Sequence, residues 1–200
     1  MSSEVIPHTV EPHPITGLYN GKLGIWLFLA SEVMLFGALF SAYIFLRIGN
    51  PDFGHDAHLN VGIGMLNTFI LISSSVTMVM AWAAAQSKNL GAARMYLLAT
   101  LVLATAFLFI KITFEYIPKI QNGTVPSTSI FYGIYYVITG LHGLHVIGGI
   151  GIIGYLLLSS KGMWATKQEQ YTNRLECTGL YWHFVDLVWI FVFPIFYLLS

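Results

Sequence analysis

Residues 23–46 read LGIWLFLASEVMLFGALFSAYIFL, a run of 24 residues that contains a single charged side chain, Glu32. A helix of roughly 20 residues is long enough to cross the hydrocarbon core of a bilayer. Backbone N–H and C=O groups find no water there, so a crossing segment must bond them internally as a helix. The run therefore predicts a membrane-spanning helix between Lys22 and Arg47.

Four further apolar runs follow, each bounded by charged residues, proline, glycine or asparagine. The five predicted spans cover about residues 23–46, 59–85, 92–117, 130–159 and 177–199. We expect Pro118 to end the third span, because proline removes a helical hydrogen bond and clashes with the preceding turn. The predicted fold class is all-α, a polytopic five-helix bundle that forms one membrane domain over residues 22–200.

Composition supports this fold class and restricts the function. Hydrophobic residues make up 56% of the chain and charged residues only 9%, whereas a soluble domain carries about 25% charged residues. A net charge of zero without a basic block argues against a nucleic-acid partner. Residues 1–21 are polar, contain three prolines and lack the features of a signal peptide, so we predict a flexible tail.

The orientation follows from the lysine and arginine residues in the predicted loops. Six of them lie on the side of the N-terminus and two on the other side. Basic residues accumulate on the cytoplasmic side of membrane proteins. We therefore predict a cytoplasmic N-terminus, an external C-terminus, and a longest cytoplasmic loop over about residues 161–176.

Glu32 is the most unusual side chain in these spans. It lies about ten residues into the first span, which is roughly 15 Å deep at the helical rise. A carboxyl group at that depth should face protein or a wet cavity. It is either a proton-linked group or part of a structural hydrogen bond between helices, and the lack of a visible relay favours the structural role.

Two histidines lie in the middle of the fourth span. His142 and His145 are three residues apart and share a helix face. Glycines that would let another helix approach closely lie on roughly the opposite face: Gly140, Gly143, Gly151 and Gly154. We therefore predict an internal span four, and we favour hydrogen bonds between helices for the histidines, with Glu32 as one partner, over metal or haem ligation.

Two more pairs of polar residues are spaced to share a helix face. His183 and Asp186 lie in the first half of span five, where a carboxylate could fix the imidazole tautomer, and a structural pair is the favoured interpretation. Lys111 and Glu115 lie one turn apart near the outer end of span three. Their order is the less favourable one for a helical ion pair, and the long side chain of Lys111 can also extend toward the headgroups.

The spacing of these residues resembles a known family, subunit III of the haem–copper cytochrome c oxidases. Residues 26–36, WLFLASEVMLF, resemble the helix that carries a buried carboxyl group, placed here at Glu32. Residues 114–118, FEYIP, resemble the Glu-Tyr pair of the family, and residues 142–149, HGLHVIGG, resemble its histidine-rich helix. Residues 181–198, YWHFVDLVWIFVFPIFYL, are similar to its final helix.

The resemblance implies a non-redox subunit that is not an enzyme alone. It implies that haems and copper lie in partner subunits, that the chain packs on subunit I, and that subunit II and cytochrome c belong to the same complex. It also implies bound phospholipid, support of proton uptake and of durability during turnover, and a place in the bacterial inner membrane in aerobic respiration. No catalytic, cofactor-binding or metal-binding residue is predicted in this chain.

One departure from the family pattern affects what can be carried over. The long form has seven helices, and this chain is similar to the short bacterial form with five. In the long form the two additional helices make one wall of a lipid-filled cleft. That wall must come here from another subunit, or the cleft is reduced.

Three alternative functions remain open. The first is subunit III of a quinol oxidase, which also has five helices; a glutamate at position 32 favours the cytochrome c branch. The second is an independent proton or ion transporter that uses Glu32, His142 and Asp186, although the sequence has no inverted repeat. The third is a bis-histidine haem carrier that uses His142 and His145.

Overall fold

Five long helices make up most of the described part of the chain, which in this computed structural model comprises residues 14–15, 17–50, 53–54 and 59–199. The helices are Asn20–Gly49, Val61–Gln86, Leu90–Gln121, Ile130–Thr166 and Gln168–Leu198, and each is long and apolar enough to cross a membrane. The predicted five-helix fold is therefore confirmed. Residues 1–13 and 16 of the predicted tail lie outside the described residues, and the first helix already begins at Asn20.

Side-chain caps explain where three of these helices begin. Asn60, Asn89 and Ser129 each accept a hydrogen bond from a backbone N–H in the first turn of the second, third and fourth helix. Such caps satisfy donors that have no partner within the helix. The starts of these helices are thus fixed by polar residues that lie just outside the apolar runs.

The second, third, fourth and fifth helices form a ring. The second helix packs against the third and fifth, and the fourth helix also packs against the third and fifth. The first helix lies outside this ring against the fourth and fifth helices. It buries a single stripe of residues at a spacing of seven, namely Leu29, Phe36 and Tyr43.

Two glycines permit the closest helix contacts in the ring. A Cβ atom on Gly149 would lie 2.5 Å from Cζ3 of Trp182, and one on Gly64 would lie 2.8 Å from Cδ1 of Tyr197. No side chain fits at these distances, so glycine lets the fifth helix approach the fourth and second helices. The rings of the fifth helix fill the space that the absent side chains leave.

The predicted end of the third span at Pro118 is wrong. A π-helical turn over Ile112–Tyr116 precedes this proline, and helix continues over Ile117–Gln121. The wider turn changes the hydrogen-bond partners in the segment that leads into the proline ring, so the ring no longer ends the helix. A second π-helical turn, Pro194–Leu198, ends the fifth helix.

The predicted cytoplasmic loop over residues 161–176 is also wrong. The fourth helix continues to Thr166, and the fifth begins at Gln168. Hydropathy marks the part of a helix that lies in lipid, but the helix itself continues where packing supports it. Trp164 and Tyr171 pack edge to face with centroids 5.9 Å apart and continue the interface beyond the apolar runs.

The fourth helix is not fully internal, contrary to the prediction. One of its faces is exposed along Val137, Leu144, Ile147 and Leu158. Its opposite side packs into the ring, where Val146 and Ile153 are fully buried. The prediction relied on the glycines and histidines of this helix and overlooked its exposed apolar face.

Candidate functional site

Glu32 of the first helix and His145 of the fourth helix form a pair between helices. Oε2 of Glu32 lies 3.0 Å from Nε2 of His145, and the two side chains are 14% and 13% exposed. The pair holds the first helix, which buries few side chains, to the ring. Its role as a structural bond or a proton-linked site stays a prediction.

Packing and hydrogen bonds restrict the imidazole of His145. Its Nδ1 lies 2.8 Å from the carbonyl oxygen of Leu141. Phe36 packs edge to face against the ring at 5.4 Å between centroids. The hydroxyl of Tyr181 donates to the backbone carbonyl of His145 at 2.9 Å. The ring therefore cannot turn without breaking packing and hydrogen bonds.

His142 lies in a different environment from His145, although the two share a face in the sequence pattern. Its ring is buried beside Phe107 and Trp189, at 5.8 and 5.2 Å between centroids. Within the described part of the chain, neither ring nitrogen of His142 has a hydrogen-bond partner. The two histidines thus face separate helix interfaces instead of forming one site.

His183 and Asp186 do not pair with each other. Nδ1 of His183 lies 2.6 Å from Oγ of Ser75 on the second helix. Asp186 is buried, and neither of its carboxyl oxygens has a hydrogen-bond partner among the described residues. Ser75 of the second helix lies close to both side chains, and its hydroxyl bonds the imidazole of His183.

Glu115 is the centre of a buried cluster of charges near the end of the bundle that carries Leu198. It is 5% exposed and accepts from Nζ of Lys111 at 2.8 Å and from Nζ of Lys119 at 3.0 Å. The phenol of Tyr135 donates to Glu115 at 2.5 Å, and that of Tyr197 also donates to it. The cluster joins the third, fourth and fifth helices.

Of the two arrangements open to Lys111, the structure shows the one in which its side chain points into this cluster instead of toward the headgroups. Its ammonium group also donates to the hydroxyls of Tyr135 and Tyr197, at 3.0 and 2.6 Å. The ring of Trp189 lies 5.0 Å away, a favourable arrangement for a cation. A complete set of hydrogen-bond partners makes the buried position better than an extended one.

Sequence reasoning missed Lys119, Tyr135 and Tyr197 as members of this cluster. A signal was available, because a tyrosine hydroxyl inside a span needs a hydrogen-bond partner. The sequence does not show which helices meet, so it could not assign either phenol to Glu115. The apolar pattern of the third span did not predict the π-helical turn that contains Glu115 either.

Among the described residues, open space lies beside the four glycines of the fourth helix that the sequence pattern singled out. A Cβ atom added at Gly140, Gly143, Gly151 or Gly154 would meet nothing within 4 Å among the described residues. Their predicted role in helix packing therefore stays a prediction about a partner outside this chain. Gly149, which the sequence pattern did not single out, makes the close contact instead.

A polar clamp ties the start of the first helix to the fifth helix. Nζ of Lys22 lies 2.5 Å from Oε1 of Glu176, and the hydroxyl of Tyr19 donates to Oε2 of Glu176 at 3.1 Å. Burial raises the pKa of the Tyr19 phenol well above its usual range, and the adjacent Cys177 and Glu176 raise it further. The phenol therefore stays protonated and keeps its role as a donor.

A largely apolar groove of about 610 Å³ lies beside this clamp, between the first, fourth and fifth helices. Phe28, Ile152 and Tyr155 line it, and Arg174 lies at its rim. The guanidinium of Arg174 contacts the sulfur of Met163 at 3.7 Å, and no carboxylate bonds it among the described residues. The groove can accept an apolar chain whose polar end carries negative charge.

Comparison with known proteins gives a consistent result. Residues 9–200 match the family model described as cytochrome c oxidase subunit III. The chain is 35% identical to cytochrome c oxidase subunit 3 of Alkalihalophilus pseudofirmus, over 94% of this chain and 92% of the relative. It is 34% identical to quinol oxidase subunit 3 of Bacillus subtilis, over 92% and 89%.

A third relative has a different chain organisation. The chain is 34% identical to a protein of Aeropyrum pernix described as heme-copper oxidase subunit I+III. The match covers 98% of this chain but 24% of that relative. The similarity therefore extends to one part of a longer protein whose name combines subunits I and III.

Proposed function

Because the chain belongs to the cytochrome c oxidase subunit III family, we propose that it is the accessory subunit of a proton-pumping haem–copper cytochrome c oxidase. In this role it carries no redox centre of its own and packs beside subunit I. It supports proton uptake and the durability of the enzyme during turnover. Its location is the plasma membrane of a bacterium.

One observation carries the accessory role. Most ionisable side chains within the described spans are bonded across helices. Glu32 bonds His145, His183 bonds Ser75, and Glu115 gathers two lysines and two tyrosines. Buried polar groups used in this way hold helices together. A subunit that shapes and stabilises a larger redox complex needs this kind of bonding.

Subunit I is the proposed direct partner, and it holds the haems and copper. The Aeropyrum pernix relative supports this pairing, because its name joins subunits I and III. The open glycines of the fourth helix offer a face on which a partner helix could pack closely. Subunit II and cytochrome c then join the chain through the complex.

A quinol oxidase is the alternative, since the quinol oxidase relative is nearly as similar as the cytochrome c oxidase relative. The electron donor is decided outside this chain. A partner subunit II with cysteine and histidine copper ligands, and oxygen uptake driven by reduced cytochrome c, would support the first proposal. Oxygen uptake driven only by a quinol would support the alternative.

A phospholipid is the proposed occupant of the groove beside Arg174. The apolar wall suits an acyl chain, and the guanidinium at the rim suits a phosphate. We expect Arg174→Ala to reduce the anionic phospholipid that co-purifies with the complex, as measured by mass spectrometry of the extracted lipids. Lys161→Ala is the matched control, because Lys161 is exposed and does not line the groove. Equal lipid loss in both variants would contradict the assignment.

The durability role is tested by Glu32→Ala. This change removes the bond to His145 and loosens the first helix, while the redox centres of the partner subunits stay in place. We expect reduced assembly or a shorter active lifetime during turnover, with nearly normal initial electron transfer in the complexes that do assemble. An immediate and complete loss of oxidase activity in a fully assembled variant would contradict the accessory role.

A further inference from the structure

A cavity of about 180 Å³ lies between the third and fourth helices. Its lining includes the exposed side chains of Leu144 and Ile147, so the cavity is open to the outside of the bundle. Gly140 and Gly143 also line it, and a Cβ atom added to either would meet nothing within 4 Å among the described residues. Small residues at such a place let another helix approach closely.

His142 lines the same cavity and has unused hydrogen-bonding groups. It is 1% exposed, and neither ring nitrogen has a hydrogen-bond partner among the described residues. Phe107 and Trp189, which also line the cavity, pack against the imidazole. A buried polar group without a hydrogen bond is destabilising. A partner that enters the cavity would remove this cost.

The other polar side chains of the cavity are already bonded. The hydroxyls of Tyr116 and Thr139 lie 2.7 Å apart and bond each other. The ammonium group of Lys111 donates three hydrogen bonds within the Glu115 cluster, which is as many as it can make. Among the described residues that line the cavity, His142 is therefore the side chain that an occupant would bond.

Water and lipid fit this cavity less well than a protein side chain does. A buried water molecule needs two to four polar partners, and the bonded lining offers it little beyond His142. An acyl chain would fill the volume but leave both nitrogens unbonded. His142 lies twelve residues after Ile130, the first residue of the fourth helix, which is about 18 Å along the helix axis. A lipid headgroup does not reach that depth.

The charges around the cavity favour an uncharged occupant. The ammonium group of Lys111 in its lining repels a second cation. An ionised carboxylate at this depth is costly, and no hydrogen of Lys111 is left to bond it. A hydroxyl or a carboxamide can donate or accept, so it can bond either nitrogen of a neutral imidazole.

We infer that this cavity receives one uncharged polar side chain, a hydroxyl or a carboxamide, from a partner transmembrane helix that packs on Gly140 and Gly143 and hydrogen-bonds His142. The inference rests on the proposed function, because the partner helix belongs to another subunit of the oxidase. It adds the place and the chemistry of the contact. The ring nitrogens are covered in this chain, but the cavity gives the ring room to turn, and side-chain rearrangements are common at interfaces.

His142→Leu is the first test, because the presence or absence of the partner bond predicts opposite results. The complex is purified through a tag on this chain, and the ratio of the haem-bearing subunit to the chain is measured at rising detergent concentration. Without a partner bond, leucine removes two unbonded nitrogens and should leave the ratio unchanged or raise it. With the bond, we expect a several-fold loss of the haem-bearing subunit. His142→Gln keeps a polar group and should restore most of it.

Gly143→Leu is the second test, and it decides the matter if His142→Leu fails to fold. Its side chain extends into space that is open in this chain, where the partner helix would lie. Gly37→Leu is the matched control, since Gly37 of the first helix also has open space beside it and does not line the cavity. We expect a several-fold loss of the haem-bearing subunit in Gly143→Leu but not in Gly37→Leu.

The outcomes separate this inference from the proposed function. An unchanged ratio in a folded His142→Leu or Gly143→Leu variant, or an equal loss in Gly143→Leu and Gly37→Leu, overturns the inference and leaves the proposed function intact. A wild-type chain that elutes without any haem-bearing subunit overturns both. Electron cryo-microscopy of the intact complex then identifies the occupant. A hydroxyl or carboxamide of another subunit beside His142 supports the inference, and an acyl chain, water alone or a charged side chain there overturns it.

Discussion

At the scale of single residues, the ion pairs of Glu115 and of Glu176 differ in how much water reaches them. Glu115 is 5% exposed and accepts from two ammonium groups and two phenols. Lys22 and Glu176 form a pair whose side chains are 29% and 24% exposed. Water screens the charges of Lys22 and Glu176 and can solvate both if the pair breaks. It does not reach Glu115 to replace the lost hydrogen bonds in the same way. The ion pairs of Glu115 should therefore contribute more to the free energy of unfolding than the pair of Lys22 and Glu176.

We predict that Glu115→Gln destabilises the complex strongly. It leaves Lys111 and Lys119 without a counter-charge, and removing one partner of a buried ion pair typically costs about 3–5 kcal/mol. Thermal and denaturant unfolding of the purified complex would measure the loss. Glu176→Gln is the matched control, with an expected loss below about 1 kcal/mol for a partly exposed pair. Equal losses in the two variants would show that the buried cluster has no special structural weight.

At the scale of helices, contact depends on where glycine is placed rather than on how many glycines a helix holds. Gly149 lies against the indole of Trp182, whereas Gly151 of the same helix has open space beside it. The sequence pattern singled out Gly140, Gly143, Gly151 and Gly154 but not Gly149. Spacing alone cannot tell which glycine faces a large ring on another helix.

We predict that Gly149→Ala destabilises the helix pair. Its Cβ atom would lie 2.5 Å from the indole of Trp182, so the fifth helix must shift. Overpacking of this kind costs about 1–3 kcal/mol. The midpoint of thermal unfolding measures it. Gly151→Ala is the control, and it should be neutral or stabilising by up to about 1 kcal/mol, because alanine favours helix over glycine. A stable Gly149→Ala variant would contradict the assigned packing.

The helices themselves could be predicted, but their irregular parts could not. Apolar run length fixed five spans, because the membrane imposes a minimum length on any crossing helix. The π-helical turns at Ile112–Tyr116 and Pro194–Leu198 were not predicted. Both depend on tertiary contacts, since Glu115 and Tyr197 from these two turns meet each other across the bundle. A contact between residues so far apart in the chain cannot be predicted from the local sequence of either turn.

At the scale of the whole molecule, sequence identified the family and the ionisable residues within the spans but paired only some of them. Glu32 with His145 was predicted from depth and spacing, whereas the spacing of Lys111 and Glu115 did not favour the ion pair that they form. His183 with Ser75, and Glu115 with the two tyrosines, required knowledge of which helices are neighbours. Which helices are neighbours in the ring depends on the fold of the whole chain. The periodicity of apolar residues within one helix does not show it.

In the molecule as a whole, several buried polar side chains bond across helices, whereas Asn67, His142 and Asp186 have no hydrogen-bond partner among the described residues. The surface of the molecule carries a row of open glycines, a groove with an arginine at its rim, and a first helix with few buried residues. These surfaces are consistent with a chain that completes its packing against a larger complex and lipid.

Purification of the affinity-tagged chain from its native membranes in mild detergent shows directly whether it is a subunit of a haem-bearing oxidase. The eluate should contain a haem-bearing subunit I in a fixed ratio to this chain, with a haem absorption spectrum and oxygen consumption that follow the tag. A chain that elutes alone, stable and without any haem-bearing partner, would contradict the role as an oxidase subunit.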